Sequence, residues 1–358
     1  MSDDILQVER RGKIAIVTMN RPAKRNALSE ALWKRLKETF ESFEPAVRAV
    51  VLAGAGDHFC AGLDLTEHKE REAFASIAMS RFAHATLEAI QFGGRPVVAA
   101  MQGAVIGGGL EVATSTHIRV SDETTFYQLP EGRRGFYVGG GASVRVAKVI
   151  GSGRMVEMML TGRKLDASAG ERLGLSHYVV ERGRTLEKAI ELAEVVAGNA
   201  MIPNYLIIQA IPRIEDMSAS DGLWTESIAQ AVSMISEDAR TGIDAFLERR
   251  KADFFCARSR AEGRKSCRRK SVGPASGRLR LAEARRRVYE FAGRSGCRSR
   301  GTRRGRAPER RRGARVDAPT PSSGRKFASP HAWARRSHLD DGEPKVAVFQ
   351  NRDGSSIK

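Results

Sequence analysis

The sequence predicts an α/β fold over residues 1 to about 200, followed by a helical region to residue 255 and a basic extension from 256 to 358. Over residues 1–150, short β-branched runs alternate with glycine-rich turns and with stretches of helical spacing. Ala49–Ala53 and Pro96–Met101 are apolar throughout and end in small residues, as is typical of strands that are buried on both faces and lead into tight turns.

The chain begins with a predicted hairpin and continues into two helices. Ile5–Val8 and Ile14–Met19 flank an Arg-Gly turn, which indicates two antiparallel strands. Ser29–Phe43 has apolar residues at helical spacing, with Ser29 as a suitable N-cap. Glu67–Gln91 predicts a second helix between the two buried strands.

The pattern from Ala167 to Glu248 is largely helical. Pro203 and Pro212 predict interruptions in these helices, because proline removes a backbone donor and clashes with the preceding turn. Tyr178–Val180 predicts a short strand between two of the helices. We therefore expect a helical appendix to the α/β part.

Charge is distributed very unevenly along the chain. Residues 1–255 carry 31 basic and 33 acidic side chains, a net charge of −2, whereas residues 256–358 carry 29 and 9, a net charge of +20. This last segment holds 24 Arg and 5 Lys among 103 residues and shows hardly any periodic apolar stripe. Such a composition cannot bury enough surface to offset its ordering entropy, so it predicts a disordered basic tail.

Localisation and redox state follow from what the sequence contains. No run of 18 apolar residues occurs, and the N-terminus opens with Asp3 and Asp4, which predicts neither a membrane span nor a secretion signal. We expect a cytoplasmic protein without a membrane partner. The cysteines follow no common zinc-binding spacing, so reduced thiols and no metal site are expected; they are Cys60, Cys256, Cys267 and Cys297.

Two carboxylates flank the most informative glycine-rich turn. A buried run leads to Gly107-Gly108-Gly109, a helical pattern begins at Leu110, and Glu111 and Glu131 lie 20 residues apart. Consecutive glycines let a backbone approach a ligand closely and leave unpaired amides at a helix N-terminus, which suits a developing oxyanion. A dinucleotide fingerprint is the competing interpretation, but Val112 stands where that motif needs a third small residue.

A second turn of the same kind, His58-Phe59-Cys60-Ala61-Gly62-Leu63-Asp64, follows the first buried strand. One glycine-rich turn alone is more typical of a strand-to-helix corner than of a binding site. Taken in their order along the chain, however, the turns are specific.

Residues 5–255 resemble the crotonase superfamily of coenzyme A thioester enzymes, which includes the enoyl-CoA hydratases. The resemblance rests on the order of six motifs, which are Asn20-Arg21-Pro22 with Asn26-Ala27-Leu28, Phe59-Cys60-Ala61-Gly62-Leu63-Asp64, Gly107-Gly108-Gly109-Leu110-Glu111, Leu129-Pro130-Glu131, Arg172-Leu173-Gly174-Leu175 and Phe246-Leu247-Glu248-Arg249-Arg250-Lys251. It implies a crotonase-like spiral of ββα repeats with a C-terminal helical trimerisation region.

The resemblance implies enoyl-CoA hydration, the syn addition of water to a trans-2-enoyl thioester. Two backbone amides would hold the thioester oxygen, and they map onto Ala61 and Gly108. Glu111 would act mainly on the water and Glu131 mainly on the α-carbon proton. Beyond the coenzyme A of the substrate itself, the resemblance implies no cofactor and no metal.

Coenzyme A contacts and assembly are also implied by the resemblance. Six matched positions would bind the substrate or its coenzyme A, some of them from a neighbouring subunit, and they are Ala23, Lys24, Arg25, Asp64, Phe246 and Arg249. Arg249 stands where lysine is familiar, which keeps the charge but changes its geometry. We expect a homotrimer or a hexamer formed by two trimers.

Several positions depart from the family pattern. Pro130–Val138 replaces an aliphatic stretch of the short-chain hydratases, so the acyl pocket is expected to differ in shape. For His58, His68 and His117 we expect ordinary polar or packing roles, and Cys60 is expected to be a small core residue.

Other functions remain open at this point. Within the superfamily they are double-bond isomerisation and thioester hydrolysis. From another class, the tail could bind nucleic acid through phosphate contacts, although we expect no nucleic-acid partner. The abrupt change of composition after Phe255 also suggests the hypothesis that residues 256–358 are an extension read in a shifted frame.

Overall fold

The computed structural model describes residues 4–67 and 72–254, all of which fall in one compact unit. The predicted basic extension and His68 lie outside the described residues. The described strands are β1 Leu6–Arg11, β2 Ile14–Met19, β3 Ala49–Gly54, β4 Val97–Met101, β5 Ala104–Ile106, β6 Ile118–Asp122, β7 Phe126–Gln128, β8 Lys164–Asp166 and β9 Tyr178–Val180.

Ten α-helices occur in the same residues. They are α1 Glu30–Glu41, α2 Ala73–Phe92, α3 Gly108–Thr114, α4 Ala142–Ile150, α5 Ser152–Thr161, α6 Ala167–Arg172, α7 Thr185–Gly198, α8 Met201–Ile214, α9 Ala219–Met234 and α10 Glu237–Leu247. Two short 3₁₀ helices also occur: Pro22–Lys24 lies within the first of the six sequence motifs, and Gly132–Arg134 follows the fourth.

The strands form two sheets. The larger has the order β1-β2-β3-β4-β6-β9, in which β1 and β2 are the antiparallel hairpin and all other neighbours are parallel. The smaller has the order β5-β7-β8, with β5 and β7 parallel. The α/β fold class is thereby confirmed, together with both buried strands and the short strand at Tyr178–Val180.

The larger sheet is covered on both faces, which explains why its central strands are uniformly apolar. One face packs with α1 and α2 in a core that includes Leu32, Leu36 and Leu87. The other face packs against α7, whose Ala189 and Ala193 allow close approach to the strands. Ser29 caps α1 as predicted, because its Oγ accepts from the Leu32 amide at 3.1 Å.

The predicted interruptions at Pro203 and Pro212 are wrong. Both residues lie inside α8. Pro203 lies in the first turn, where a backbone N–H has no hydrogen-bond acceptor within the helix. Pro212 lies in the last turn, where few helical residues follow it. Helices α8 to α10 form the predicted helical region.

No single helix among the described residues is long and apolar enough to cross a membrane. Helices α7 and α8, which meet at a bend of 111°, reach that length and composition only as a pair.

Candidate active site

A cleft of about 810 Å³ collects both glycine-rich turns and both predicted catalytic glutamates. Its floor is formed by the turn after β3 and the start of α3. Its walls are one face of α2 and the loop that follows Glu131. The structure therefore brings Ala61, Asp64, Gly108, Glu111 and Glu131 to one cavity.

The turn after β3 is held from two sides by short parallel bridges. On one side, the Cys60 amide donates to Ala104 O at 3.0 Å and Cys60 O accepts from the Ile106 amide at 3.1 Å. On the other side, Gly62 O accepts from the Leu28 amide at 2.8 Å and the Asp64 amide donates to Leu28 O at 3.1 Å. Successive amides of the turn therefore point in different directions.

The prediction that Ala61 donates to an oxyanion is wrong. Its N–H donates to Arg25 O at 2.9 Å, so it is directed away from the start of α3 and is already satisfied. The Gly62 amide is also engaged, by the thiol sulfur of Cys60. Leu63 is the bridge residue opposite Leu28, and in a parallel bridge only the groups of its two neighbours bond to the partner strand.

Leu63 and Gly108 present adjacent amides at the cleft. A side-chain carbon added at Gly108 would lie 3.6 Å from the Leu63 nitrogen, and one added at Gly62 would lie 3.3 Å from the Gly108 nitrogen. Neither amide hydrogen-bonds another residue within 4–67 and 72–254. The pair can therefore donate to one oxygen of a ligand.

Glycine is required at Gly107 and Gly109 for different reasons. Gly107 has φ +53°, and a side-chain carbon there would lie 2.5 Å from Glu131 Oε1. A side-chain carbon at Gly109 would lie 2.3 Å from Cys60 O, so this glycine lets the two turns approach.

Glu111 is buried in α3 and is held by backbone amides. Its Oε1 accepts from the Gly140 amide at 2.8 Å and from the Ala142 amide at 3.0 Å. Burial raises the pKa of this carboxyl, while the two amides and the positive charge of Arg145 act in the opposite direction.

Glu131 is 5% exposed, and its own backbone amide is the one amide that lowers the pKa of its carboxyl. Its Oε2 is buried without a hydrogen-bond partner among the described residues. Burial raises the pKa of this carboxyl to about 7, with a further contribution from the negative charge of Glu111 and opposition from Arg134. Glu131 is thus suited to hold a proton at neutral pH and to transfer it to a ligand.

This raised pKa predicts that Glu131→Gln stabilises the fold at neutral and alkaline pH. Between the unfolded value of 4.5 and the folded value of about 7, the folded state binds the proton more tightly, so wild-type stability falls as pH rises through this range. The glutamine variant lacks this loss, which amounts to about 2 to 3 kcal/mol. Urea unfolding at pH 5 and pH 8 measures it; the advantage of the variant should be clearly larger at pH 8, and an equal difference at both pH values would contradict the prediction.

Asp64 has a structural partner in the first motif. Arg21 Nη2 donates to Asp64 Oδ2 at 2.8 Å, and Thr66 donates to Asp64 through both its amide and its hydroxyl. The hydrogen bond from Thr66, followed by that from Arg21, lowers the pKa of Asp64. Asn26, with φ +54°, donates to the carbonyls of Ala55 and His58. The first motif therefore holds the turn after β3 in place.

The other predicted coenzyme A positions do not line this cleft. Ala23, Lys24 and Arg25 are exposed in and after the first 3₁₀ helix, on the far side of the turn from α3. Phe246 is 81% exposed near the end of α10, and Arg249 follows it in an exposed turn. Their contact with coenzyme A stays a prediction.

The described histidines and the one described cysteine have the roles expected for them. His117 Nδ1 accepts from the Val97 amide at 2.9 Å, and burial lowers its pKa to about 4. His58 Nδ1 accepts from the Ala104 amide at 3.1 Å. Burial raises the pKa of the Cys60 thiol to about 12, which leaves it unreactive. Within the described residues, no group of three or more His, Cys, Asp and Glu is placed to hold a metal.

The sequence reasoning missed the contribution of α2 to the site. Ser76, Met79, Ser80 and Ala83 follow helical spacing along its cleft-facing side. The sequence predicts a helix over Glu67–Gln91, so the helical spacing of these four residues could have been recognised. Nothing in the sequence, however, shows which face of that helix meets the two glycine-rich turns. Opposite α2, Phe136–Val138 completes the wall.

The sequence and the fold are similar to those of known proteins. The family model described as enoyl-CoA hydratase/isomerase matches residues 9–256. The chain is 33% identical over 252 residues to the enoyl-CoA hydratase EchA19 of Mycobacterium tuberculosis, which covers 69% of this chain and 95% of that protein. A solved structure from Rhodopseudomonas palustris, assigned as an enoyl-CoA hydratase, is 44% identical with a TM-score of 0.67 and covers 68% of this chain and 95% of the other. The enoyl-CoA hydratase of Bacillus anthracis is 30% identical with a TM-score of 0.66, and the match covers 70% of this chain and 99% of the other. These matches show that the chain belongs to the enoyl-CoA hydratase/isomerase family.

Proposed function

We propose that this chain is an enoyl-CoA hydratase that adds water to the same face of a trans-2-enoyl-CoA double bond. The observation that carries the proposal is the placement of two buried carboxylates, Glu111 and Glu131, in one cleft with the paired amides of Leu63 and Gly108. The family supports a coenzyme A thioester as substrate, and it includes both hydratases and isomerases.

The thioester oxygen accepts from the Leu63 and Gly108 amides. As water adds to C3, electrons move toward the thioester and negative charge develops on its oxygen. The two donors are already oriented by the bridges and by α3, so they stabilise this charge without rearranging. This assignment replaces Ala61 by Leu63 and keeps Gly108 from the original prediction.

Each glutamate then moves one proton. Glu111 takes a proton from the attacking water, whose oxygen bonds to C3. Glu131, protonated beforehand, gives its proton to C2, and the C2=C3 double bond becomes single. Water has been added in full, Glu111 is left neutral and Glu131 charged, and proton exchange with solvent restores both. The raised pKa of Glu131 supports its role as the acid, and the amides on Glu111 support its role as the base.

The acyl chain beyond C3 would lie between α2 and the loop Phe136–Val138. Three of the four cleft-lining side chains of the helix are small, those of Ser76, Ser80 and Ala83, and the fourth is Met79. The loop presents two aromatic rings. Small residues on one wall leave room for an acyl group wider than a straight short chain.

A panel of trans-2-enoyl-CoA substrates of increasing bulk tests this arrangement. We expect Ser76→Phe to lower kcat/KM about tenfold more for a branched or aromatic enoyl group than for the butenoyl group, because the added ring occupies the wider part of the cleft. Ala75→Phe, at an exposed neighbouring position outside the cleft, is the matched control. If Ser76→Phe lowered kcat/KM equally for all substrates, α2 would not form part of the acyl-binding site.

Self-assembly into trimers, or into hexamers of two trimers, is also part of the proposal. Helices α8 to α10 expose large apolar side chains, among them Trp224 at 69%, Ile235 at 83% and Phe246 at 81%. Exposed large apolar side chains are typical of protein interfaces. Such an interface is consistent with the prediction that Phe246 and Arg249 serve a neighbouring subunit.

A further inference from the structure

The turn Gly139–Ala142 determines where the Glu111 carboxylate points. Glu111 Oε1 is held by the amides of Gly140 and Ala142, and Gly141 between them has φ +106°. A residue with a side chain would be strained at that φ. The orientation of Glu111 therefore depends on what keeps this turn in place.

Side chains from two helices hold the turn from the side opposite Glu111. Arg145, in α4, donates through Nη1 to Gly140 O at 3.2 Å. Its Nε donates to Gln91 Oε1, in α2, at 2.7 Å, which fixes the direction of the guanidinium. Ser80, also in α2, donates to Gly139 O at 2.6 Å.

The turn is tightly packed at Gly140 and Gly141. A side-chain carbon at Gly141 would lie 2.5 Å from Arg145 Nη1, and one at Gly140 would lie 2.4 Å from Glu111 Oε2. The backbone of the turn is thus packed between the guanidinium and the carboxylate, and a shift of Arg145 must move the amides that hold Glu111.

Charge supports the same arrangement. The positive charge of Arg145 favours the ionised form of Glu111. Arg145 itself faces Glu88 and His84 on α2, and Arg81 lies near His84.

Resting on the proposed function, we propose that Arg145 is a positioning residue for hydration, because it fixes the Gly139–Ala142 turn whose amides orient the Glu111 carboxylate toward the water. Arg145 does not touch the substrate. Its effect passes through the Gly140 carbonyl to the two amides and from them to Oε1, which sets the orientation of the carboxylate that lines the cleft.

Arg145→Gln tests the role. We expect kcat to fall about 10- to 100-fold with little change in KM, because the base is misplaced while the binding amides are kept. The acid limb of the kcat profile should move to higher pH, since a charge that favours ionised Glu111 has been removed. Arg145→Lys keeps the charge but cannot bond both Gly140 O and Gln91, and should recover part of kcat and most of the pH profile.

The matched control is Arg154→Gln. Arg154 also donates to a backbone carbonyl of α4, that of Ile150 at 3.0 Å, but it lies outside the cleft. This variant should keep wild-type kcat and pH dependence. If Arg145→Gln fails to fold, Gln91→Leu carries the same test with a smaller expected loss, because it removes only the anchor of the guanidinium.

A double-mutant cycle separates positioning from a general structural role. In the Glu111→Gln background, adding Arg145→Gln should change kcat less than about twofold, because a residue that acts through Glu111 has nothing left to orient. The positioning role of Arg145 would be overturned if the kcat losses of the two single variants multiplied in the double variant, or if Arg145→Gln were as active as the wild type. Either result would leave the proposed function intact. Failure of the wild-type chain to hydrate any enoyl-CoA would instead overturn the proposed function.

Discussion

Glu111→Gln and Glu131→Gln are each expected to lower the turnover of an enoyl-CoA substrate by about 10²-fold or more. Each substitution removes a group that carries a proton in the reaction but preserves the shape of the side chain. Glutamine at 111 can still accept from the Gly140 and Ala142 amides through its carbonyl oxygen, so the turn should be retained. Steady-state hydration kinetics measure the loss, and KM should change far less than kcat.

Glu123→Gln is the control for these variants, because Glu123 is exposed and lies outside the cleft. It should leave turnover unchanged. Near-native hydration by either Glu111→Gln or Glu131→Gln would contradict the two-carboxylate mechanism and would favour an isomerase-like or hydrolase-like use of the site.

Gly108→Pro is expected to lower activity by about 10²- to 10³-fold, because proline removes one of the two amides that hold the thioester oxygen. The position tolerates proline better than most, since Gly108 is the first residue of α3 and the amide there has no intrahelical partner. The closest atom to an added side-chain carbon is Leu28 Cδ1 at 2.9 Å, the mobile end of a side chain. The spectroscopic signature of folding and the assembly size should be measured beside the activity.

Gly108→Ala separates loss of the donor from added bulk. Alanine introduces the same contact with Leu28 but keeps the amide, so most of the activity should remain. A folded Gly108→Pro variant that hydrates its substrate as well as Gly108→Ala would show that the Gly108 amide does not hold the oxyanion.

The sequence predicted the catalytic neighbourhood better than the direction of its groups. Glu111 and Glu131 meet in one cleft because each follows a strand of the smaller sheet, β5 and β7, which pair in parallel. Which amide of the turn after β3 is free depends on how that turn bridges to Leu28 and to Val105. This bridging is a tertiary feature, so residue types alone could not separate Ala61 from Leu63.

The side chains that hold the turn beside Glu111 could not be predicted from the sequence either, because their contacts are also tertiary. Arg145 acts on Glu111 through a turn, and its anchor Gln91 is 54 residues away in the chain. The error at Pro203 and Pro212 has a different origin. Proline predicts a break within a helix, but at the ends of α8 its missing donor costs little, and helix ends are the least certain part of a pattern.

The most direct test of the central claim is the structure of the product formed from a trans-2-enoyl-CoA in D₂O. The proposed mechanism predicts a 3-hydroxyacyl-CoA with one deuterium at C2, placed on the same face as the new hydroxyl oxygen, because Glu111 and Glu131 act from one cleft. Proton NMR of the purified thioester distinguishes this diastereomer from its epimer. A mixture of both diastereomers, a double bond moved to C3 without water added, or free coenzyme A with an unsaturated acid would contradict it.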